Sequence, residues 1–246
     1  MKKVLGVIPA RLRSTRLLEK LLLPIDGKPL LYYTWRQARQ ASQLDRILIA
    51  TDSREIYRAV KAFGAEPVMT SSACLTGSDR VAEAARAFNG FIPDIVVNIQ
   101  GDEPLMPPRA IDACVASLLA NPDVSMATVA SPLSFEESRK DSIVKVVCDT
   151  RGRALYFSRS RIPHPRVPYS AYLRHIGLYA FRLPFLFDYI RLPQTSLEIA
   201  ESLEQLRVLE HGHAIQVAAG DFPNIGVDTL SDFRRVKKMI MIGNRA

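Results

Sequence analysis

The chain has 246 residues, 48% of them hydrophobic and 24% charged, with a formal net charge of +8. This length suits one large domain or a domain with a sizeable insert, and the composition is that expected of an ordinary soluble globular protein. No apolar run approaches the ~20 residues of a membrane-spanning helix, so no membrane span is expected.

The first apolar run, Val4-Leu5-Gly6-Val7-Ile8-Pro9, lacks alternation and predicts a strand buried on both faces. It is short and has no small-residue cleavage site, so a signal peptide is not expected. Pro9 cannot donate to a sheet ladder and marks the strand's end. Arg11, Arg13, Arg16 and Lys20 follow at once. Ligands of open α/β sheets bind just beyond such strand ends, and guanidinium forks and a mobile ammonium suit a polyanionic nucleotide.

Helical spacing from Leu30 to Ser42 precedes a buried strand, Arg46 to Ala50, and the turn Thr51-Asp52. A helix over Glu55–Phe63, a short strand over Glu66–Thr70 and a helix over Asp79–Phe88 with Ser78 as its cap come next. Asp94–Ile99 is another strand, and Pro108 opens a helix to Leu119. This alternation predicts an α/β fold with a mostly parallel, doubly wound sheet.

After Val124 the pattern changes. Ser125–Ala130 is a strand, and Val144–Cys148 and Ala154–Ser158 flank the hairpin signal Asp149-Thr150-Arg151-Gly152. Leu178–Phe181 is a strand. Thr195 and Glu198 make a capping box for one helix running to Gly212. A strand over Ala214–Ala218, the turn Gly226-Val227-Asp228-Thr229 and a final helix complete a single domain with an antiparallel insert at about 125–182.

Asp102 follows a strand in Asn98-Ile99-Gln100-Gly101-Asp102, where Gly101 allows a sharp turn and close approach of a ligand. A carboxylate facing a basic loop is no phosphate ligand; it suits Mg²⁺, which takes oxygen donors and bridges to phosphates. Asp228 stands in a similar setting, although Thr229 and Asp232 also read as a plain helix start. Two such aspartates beside a basic loop are the parts of metal-assisted nucleotidyl transfer. Arg80, on the first turn of a helix, can reach a carboxylate or phosphate. His175 opens a strand, and Glu204 and Gln205 lie on an amphipathic helix. Cys74, Cys114 and Cys148, odd in number and far apart, offer neither a disulfide framework nor a zinc site and fit a reducing cytoplasm. The cations are not gathered with interleaved aromatics, so nucleic acid is not the expected partner.

In order, these motifs resemble one family, the 3-deoxy-manno-octulosonate (Kdo) cytidylyltransferases, or CMP-Kdo synthetases. The matching pieces are Ile8-Pro9-Ala10-Arg11, Ser14-Thr15-Arg16-Leu17, Asp26-Gly27-Lys28-Pro29, Ala50-Thr51-Asp52, Gly77-Ser78-Asp79-Arg80 and Asn98-Ile99-Gln100-Gly101-Asp102-Glu103-Pro104. Val144-Lys145-Val146-Val147, Ala154-Leu155-Tyr156-Phe157-Ser158-Arg159, Arg174-His175-Ile176-Gly177-Leu178-Tyr179, Leu203-Glu204-Gln205-Leu206-Arg207 and Gly226-Val227-Asp228-Thr229 continue the match.

The resemblance implies that CTP and Kdo give CMP-Kdo and diphosphate, for lipopolysaccharide synthesis, with Mg²⁺ on Asp102 and Asp228. Arg11, Ser14 and Lys20 would contact the nucleotide phosphates, with Pro9, Ala10 and Gln100 lining the site. Arg80, Gln100, His175, Tyr179, Glu204 and Gln205 would bind the sugar acid, and the insert would form a homodimer. Another acidic sugar, amino-Kdo or sialic acid, is the alternative substrate, and a non-enzymatic nucleic-acid-binding protein the alternative class. One departure stands out: the family's Arg-Leu-Pro-Gly-Lys-Pro is here Arg16-Leu17-Leu18-Glu19-Lys20-Leu21, which predicts a less constrained loop and a carboxylate beside the triphosphate.

Overall fold

The computed structural model describes residues 2–12 and 17–243. They form two compact units, one from residues 1–112 with 223–246, the other from 113–222.

The first unit is built on four parallel strands. Val4–Ala10 pairs on one side with Ile95–Ile99 and on the other with Arg46–Thr51, which in turn pairs with Glu66–Met69. Leu5, Val7, Ile8, Val96, Val97 and Ile99 are all fully buried, as continuous apolar runs require when helices cover both faces of a sheet. The connecting helices are Leu30–Ala38, Arg54–Ala62 and Gly77–Ala87. Parallel order puts the ends of Val4–Ala10, Arg46–Thr51 and Ile95–Ile99 on one edge, and Arg11, Asp52 and Asp102 just beyond it.

Two helix starts differ in detail from the sequence expectation. Ser53 caps the second helix, accepting from the amides of Glu55 and Ile56. The third begins earlier than expected, because Thr76 rather than Ser78 is its cap. The Thr76 hydroxyl accepts from the Asp79 amide at 3.1 Å and the Asp79 carboxylate accepts from the Thr76 amide at 2.9 Å. This reciprocal pair satisfies two orphan amides, which a Ser at position 78 could not do.

The second unit is a mixed sheet. Met126–Leu133 runs parallel to Ile215–Ala219 and antiparallel to Tyr172–Arg182. Tyr172–Arg182 also pairs antiparallel with Lys145–Cys148, which forms the expected hairpin with Ala154–Ser158. The strand expected over Leu178–Phe181 is thus eleven residues long and includes His175.

The helix expected from Thr195 to Gly212 is two. Ser196–Glu201 ends at Ser202, whose φ of 53° is left-handed, and Gln205–Glu210 starts anew after Glu204. The capping box and leucine spacing are continuous with one helix. Neither Gly nor Pro marks the break, so periodicity alone could not locate it.

Candidate active site

The first constellation gathers on Lys20. Its backbone opens a single 3-10 turn, Lys20–Leu22, anchored by buried Leu21. Its ammonium lies 2.5 Å from Asp102 Oδ2, 3.3 Å from Asp228 Oδ1 and 3.0 Å from the Val227 carbonyl oxygen. Two carboxylates from distant parts of the sequence thus converge on one cation, which offsets their mutual repulsion.

Asp102 is placed by the turn after Ile95–Ile99. Thr34 donates to the Gly101 carbonyl at 2.8 Å, and a Cβ at position 101 would sit 3.0 Å from the Pro9 carbonyl oxygen. Glycine is required here because the neighbouring strand end comes close, rather than to admit a ligand. Asp228 lies on the loop before the helix Leu230–Gly243. Asp232 takes the capping role: its Oδ2 accepts from the Thr229 amide at 2.8 Å and the Asp228 amide at 3.2 Å. The Asp228 carboxylate is thereby directed to Lys20 rather than to its own helix.

Arg80 is buried. Its guanidinium donates to Thr70 Oγ1 at 2.5 Å and to Asp52 Oδ2 at 2.9 Å. Gln100, half-buried, donates to Asn98 Oδ1 at 3.4 Å. At the end of the first strand Pro9 is half-buried, Ala10 buried and Arg11 exposed. Ser14, with Arg13 and Arg16, lies outside the described residues.

The departure from the family loop has a structural counterpart. Glu19 has φ 50° and ψ 27°, a left-handed conformation that glycine adopts without strain. Leu18 is 77% exposed, whereas Leu21 is 6% exposed. From Lys20 onward, apolar burial supplies the constraint that was expected to vanish with the proline.

The second constellation belongs to the other unit. His175 Nε2 is 3.0 Å from Thr128 Oγ1, and the Thr128 hydroxyl lies 2.8 Å from the Leu178 carbonyl oxygen. Burial pushes the imidazole down to about 3, so the ring is neutral at physiological pH. With the Thr128 hydroxyl donating to Leu178, Nε2 carries the ring proton and Nδ1 is left as an acceptor. A bulge between Ile176 and Tyr179 interrupts the strand, and the His175 and Tyr179 rings lie 5.5 Å apart. Burial raises the Tyr179 hydroxyl well above its usual range, and it donates to Gln205 Oε1 at 3.2 Å. Tyr189 donates to Glu204 Oε2 at 3.4 Å. The structure therefore brings His175, Tyr179, Glu204 and Gln205 into one polar cluster. Thr128 and Tyr189 belong to it as well, and no sequence signal marked either.

A family model described as cytidylyltransferase matches residues 5–215. A 3-deoxy-manno-octulosonate cytidylyltransferase of Chlorobium limicola is 46% identical over 239 residues, 95% of this chain and 96% of its own. The enzyme of that name from Anaeromyxobacter is 45% identical over the full length of both chains. The chain belongs to the 3-deoxy-manno-octulosonate cytidylyltransferase family. A solved CMP:2-keto-3-deoxy-manno-octonic acid synthetase, complexed with CTP, superposes with a TM-score of 0.93 at 38% identity, covering 98% of this chain and all of that one.

As a nucleotidyltransferase of this family, the chain has two carboxylates and a lysine at the carboxyl edge of its parallel strands, where such sheets bind ligands. Among the described residues no group of three or more His, Cys, Asp or Glu is arranged to hold a metal ion. The donor chemistry nonetheless fits Mg²⁺. That ion commonly takes one or two carboxylates and completes its octahedron with water and substrate phosphate. The Lys20 ammonium already marks a cation-favouring point between Asp102 and Asp228. Among the described residues no helix is long and apolar enough to cross a membrane.

Proposed function

We propose that this chain transfers the cytidylyl group of CTP to the anomeric oxygen of Kdo and releases diphosphate. The observation carrying the reading is the meeting of Asp102 and Asp228 at Lys20. The new bond joins the sugar oxygen to the α-phosphorus, the bond from that phosphorus to the leaving diphosphate breaks, and the hydroxyl proton is released. Asp102 and Asp228 would hold Mg²⁺, which would supply positive charge to offset the negative charge developing on the phosphoryl groups. Lys20 supplies positive charge for the phosphates, and Arg11 adds another at the end of the first strand.

In the second unit, neutral His175 offers an acceptor to a sugar hydroxyl. Tyr179, Glu204 and Gln205 supply further donors and acceptors at fixed positions. A half-buried polar set of this kind disfavours a ligand that leaves its groups unpaired, which favours one acidic sugar over close analogues. The reading includes a homodimer formed through the Lys145–Ser158 hairpin and a place in the cytoplasm.

The test is diphosphate release from purified protein with CTP and each of Kdo, amino-Kdo and sialic acid, with and without Mg²⁺. Release with Kdo that needs Mg²⁺ is expected. Faster release with another sugar would reassign the substrate, and none with any sugar would overturn the reading.

A further inference from the structure

The loop carrying Asp228 has no regular structure between Gly220 and Thr229, and the Asp228 side chain is 52% exposed. Its position must therefore be set by specific ties. Two are already described: the Lys20 ammonium on the Val227 carbonyl and the Asp232 carboxylate on the Asp228 amide. A third runs between backbones, from the Val227 amide to the Asp102 carbonyl oxygen at 2.9 Å. This bond sets the two aspartates in register as if they were neighbours on paired strands.

The fourth tie is Glu103. Its Oε2 accepts from Asn224 Nδ2, and its carboxylate lies against Gly226, where a Cβ would approach Oε1 to 3.0 Å. Glu103 directly follows Asp102 and ties the loop at Asn224, ahead of Val227, which is fully buried. A charged acceptor on a partly buried amide is the stronger kind of hydrogen bond.

We propose that Glu103 and Asn224 form a latch that positions Asp228 opposite Asp102. In this role Glu103 is a positioning residue, acting on the metal-holding pair without touching substrate. The proposal rests on Asp102 and Asp228 being that pair.

Mn²⁺ can be titrated into the full chain with CTP present and sugar absent, and free ion read by electron paramagnetic resonance. Hydrogen exchange at the Val227 amide is followed in the same proteins. Glu103→Ala is expected to weaken Mn²⁺ binding roughly tenfold and to speed Val227 exchange by a similar factor, because the latch bonds hold the loop closed. Glu103→Gln keeps an acceptor for Asn224 but loses the charge, and should fall between the parent protein and Glu103→Ala. Asn224→Ala should shift both readings in the same direction, and the double variant should lose less than the sum of the two single losses, since the two residues share a hydrogen bond. In turnover, Glu103→Ala should raise the Mg²⁺ requirement, with kcat recovering at high Mg²⁺.

A Glu103→Ala protein that melts normally, binds Mn²⁺ normally and protects Val227 would overturn the latch, as would additive losses in the double variant. If Glu103→Ala does not fold, Asn224→Ala carries the same test. Normal Mn²⁺ binding by Asp228→Ala would instead overturn Asp228 as a ligand, and Val227 exchange in the Glu103 and Asn224 variants would still decide the latch.

Discussion

Glu198 and Arg207 close a two-pronged ion pair inside the second unit, Nη2 to Oε1 at 2.5 Å and Nε to Oε2 at 2.7 Å, with both side chains under 10% exposed. The pair spans the break at Ser202 and joins the helix Ser196–Glu201 to the helix that begins with Gln205. Arg207 also donates to the Leu192 carbonyl at 3.2 Å and stacks over Tyr189 with 5.4 Å to the ring centre. The same Tyr189 hydroxyl reaches Glu204, so the ion pair underlies the polar cluster.

Removing one partner leaves the other buried and unpaired. Glu198→Ala or Arg207→Ala should cost about 3–5 kcal/mol of folding stability. Replacing both by apolar residues of similar volume should cost much less. Urea unfolding of the three variants checks this; a small loss in the single variants would show that water reaches the pair.

Asp102→Asn and Asp228→Asn should each lower turnover far more than stability. Losing a carboxylate from a catalytic metal removes several kcal/mol of charge stabilisation, a rate loss of roughly a hundredfold or more. Near-normal kcat in either folded variant at saturating Mg²⁺ would remove that residue from the metal site.

Glu19→Gly should stabilise the protein by about 1 kcal/mol, because a left-handed backbone costs a residue with a Cβ about that much. It also removes a carboxylate beside Lys20, so the KM for CTP should fall. Leu21→Ala should do the opposite, costing about 2–4 kcal/mol as a buried leucine is truncated. Thermal melts with steady-state kinetics separate the two. Restoring the full family pattern, Leu18→Pro, Glu19→Gly and Leu21→Pro together, would lose the Leu21 anchor and should gain less than Glu19→Gly alone.

Stability should fall with acid in a way that His175 controls. Its folded value of about 3 lies below the usual 6.5, so between those limits the unfolded chain binds the extra proton. Stability therefore rises with pH across this window and is lost as pH falls from 6.5 toward 3. His175→Gln should flatten that dependence. Unfolding midpoints at mildly acidic and neutral pH test it, and an unchanged slope would mean that His175 titrates normally.

Leu155 is 62% exposed on the hairpin, while Val146 and Phe157 are buried. An exposed apolar side chain beside a sheet edge suits a symmetric partner. Light scattering should report a dimer at micromolar concentration and a shift toward monomer in Leu155→Glu. A monomeric, fully active parent protein would count against the dimer.

The sequence by itself determined the alternating α/β order, the parallel strands and the placing of Asp102 just past a strand end. Apolar runs and Gly or Pro punctuation are local signals, and strand burial on both faces writes itself into composition. The tertiary structure alone decided that Lys20 meets both aspartates, that Arg80 is buried against Asp52 and Thr70, and that His175 and Tyr179 meet across a bulge. It also decided the helix break at Ser202 and the hold of Glu103 on Asn224. The Lys20, Arg80–Asp52 and Glu103 contacts join segments distant in sequence, and the bulge and the helix break depend on packing around them; the energy of such contacts leaves no periodic trace in either segment alone.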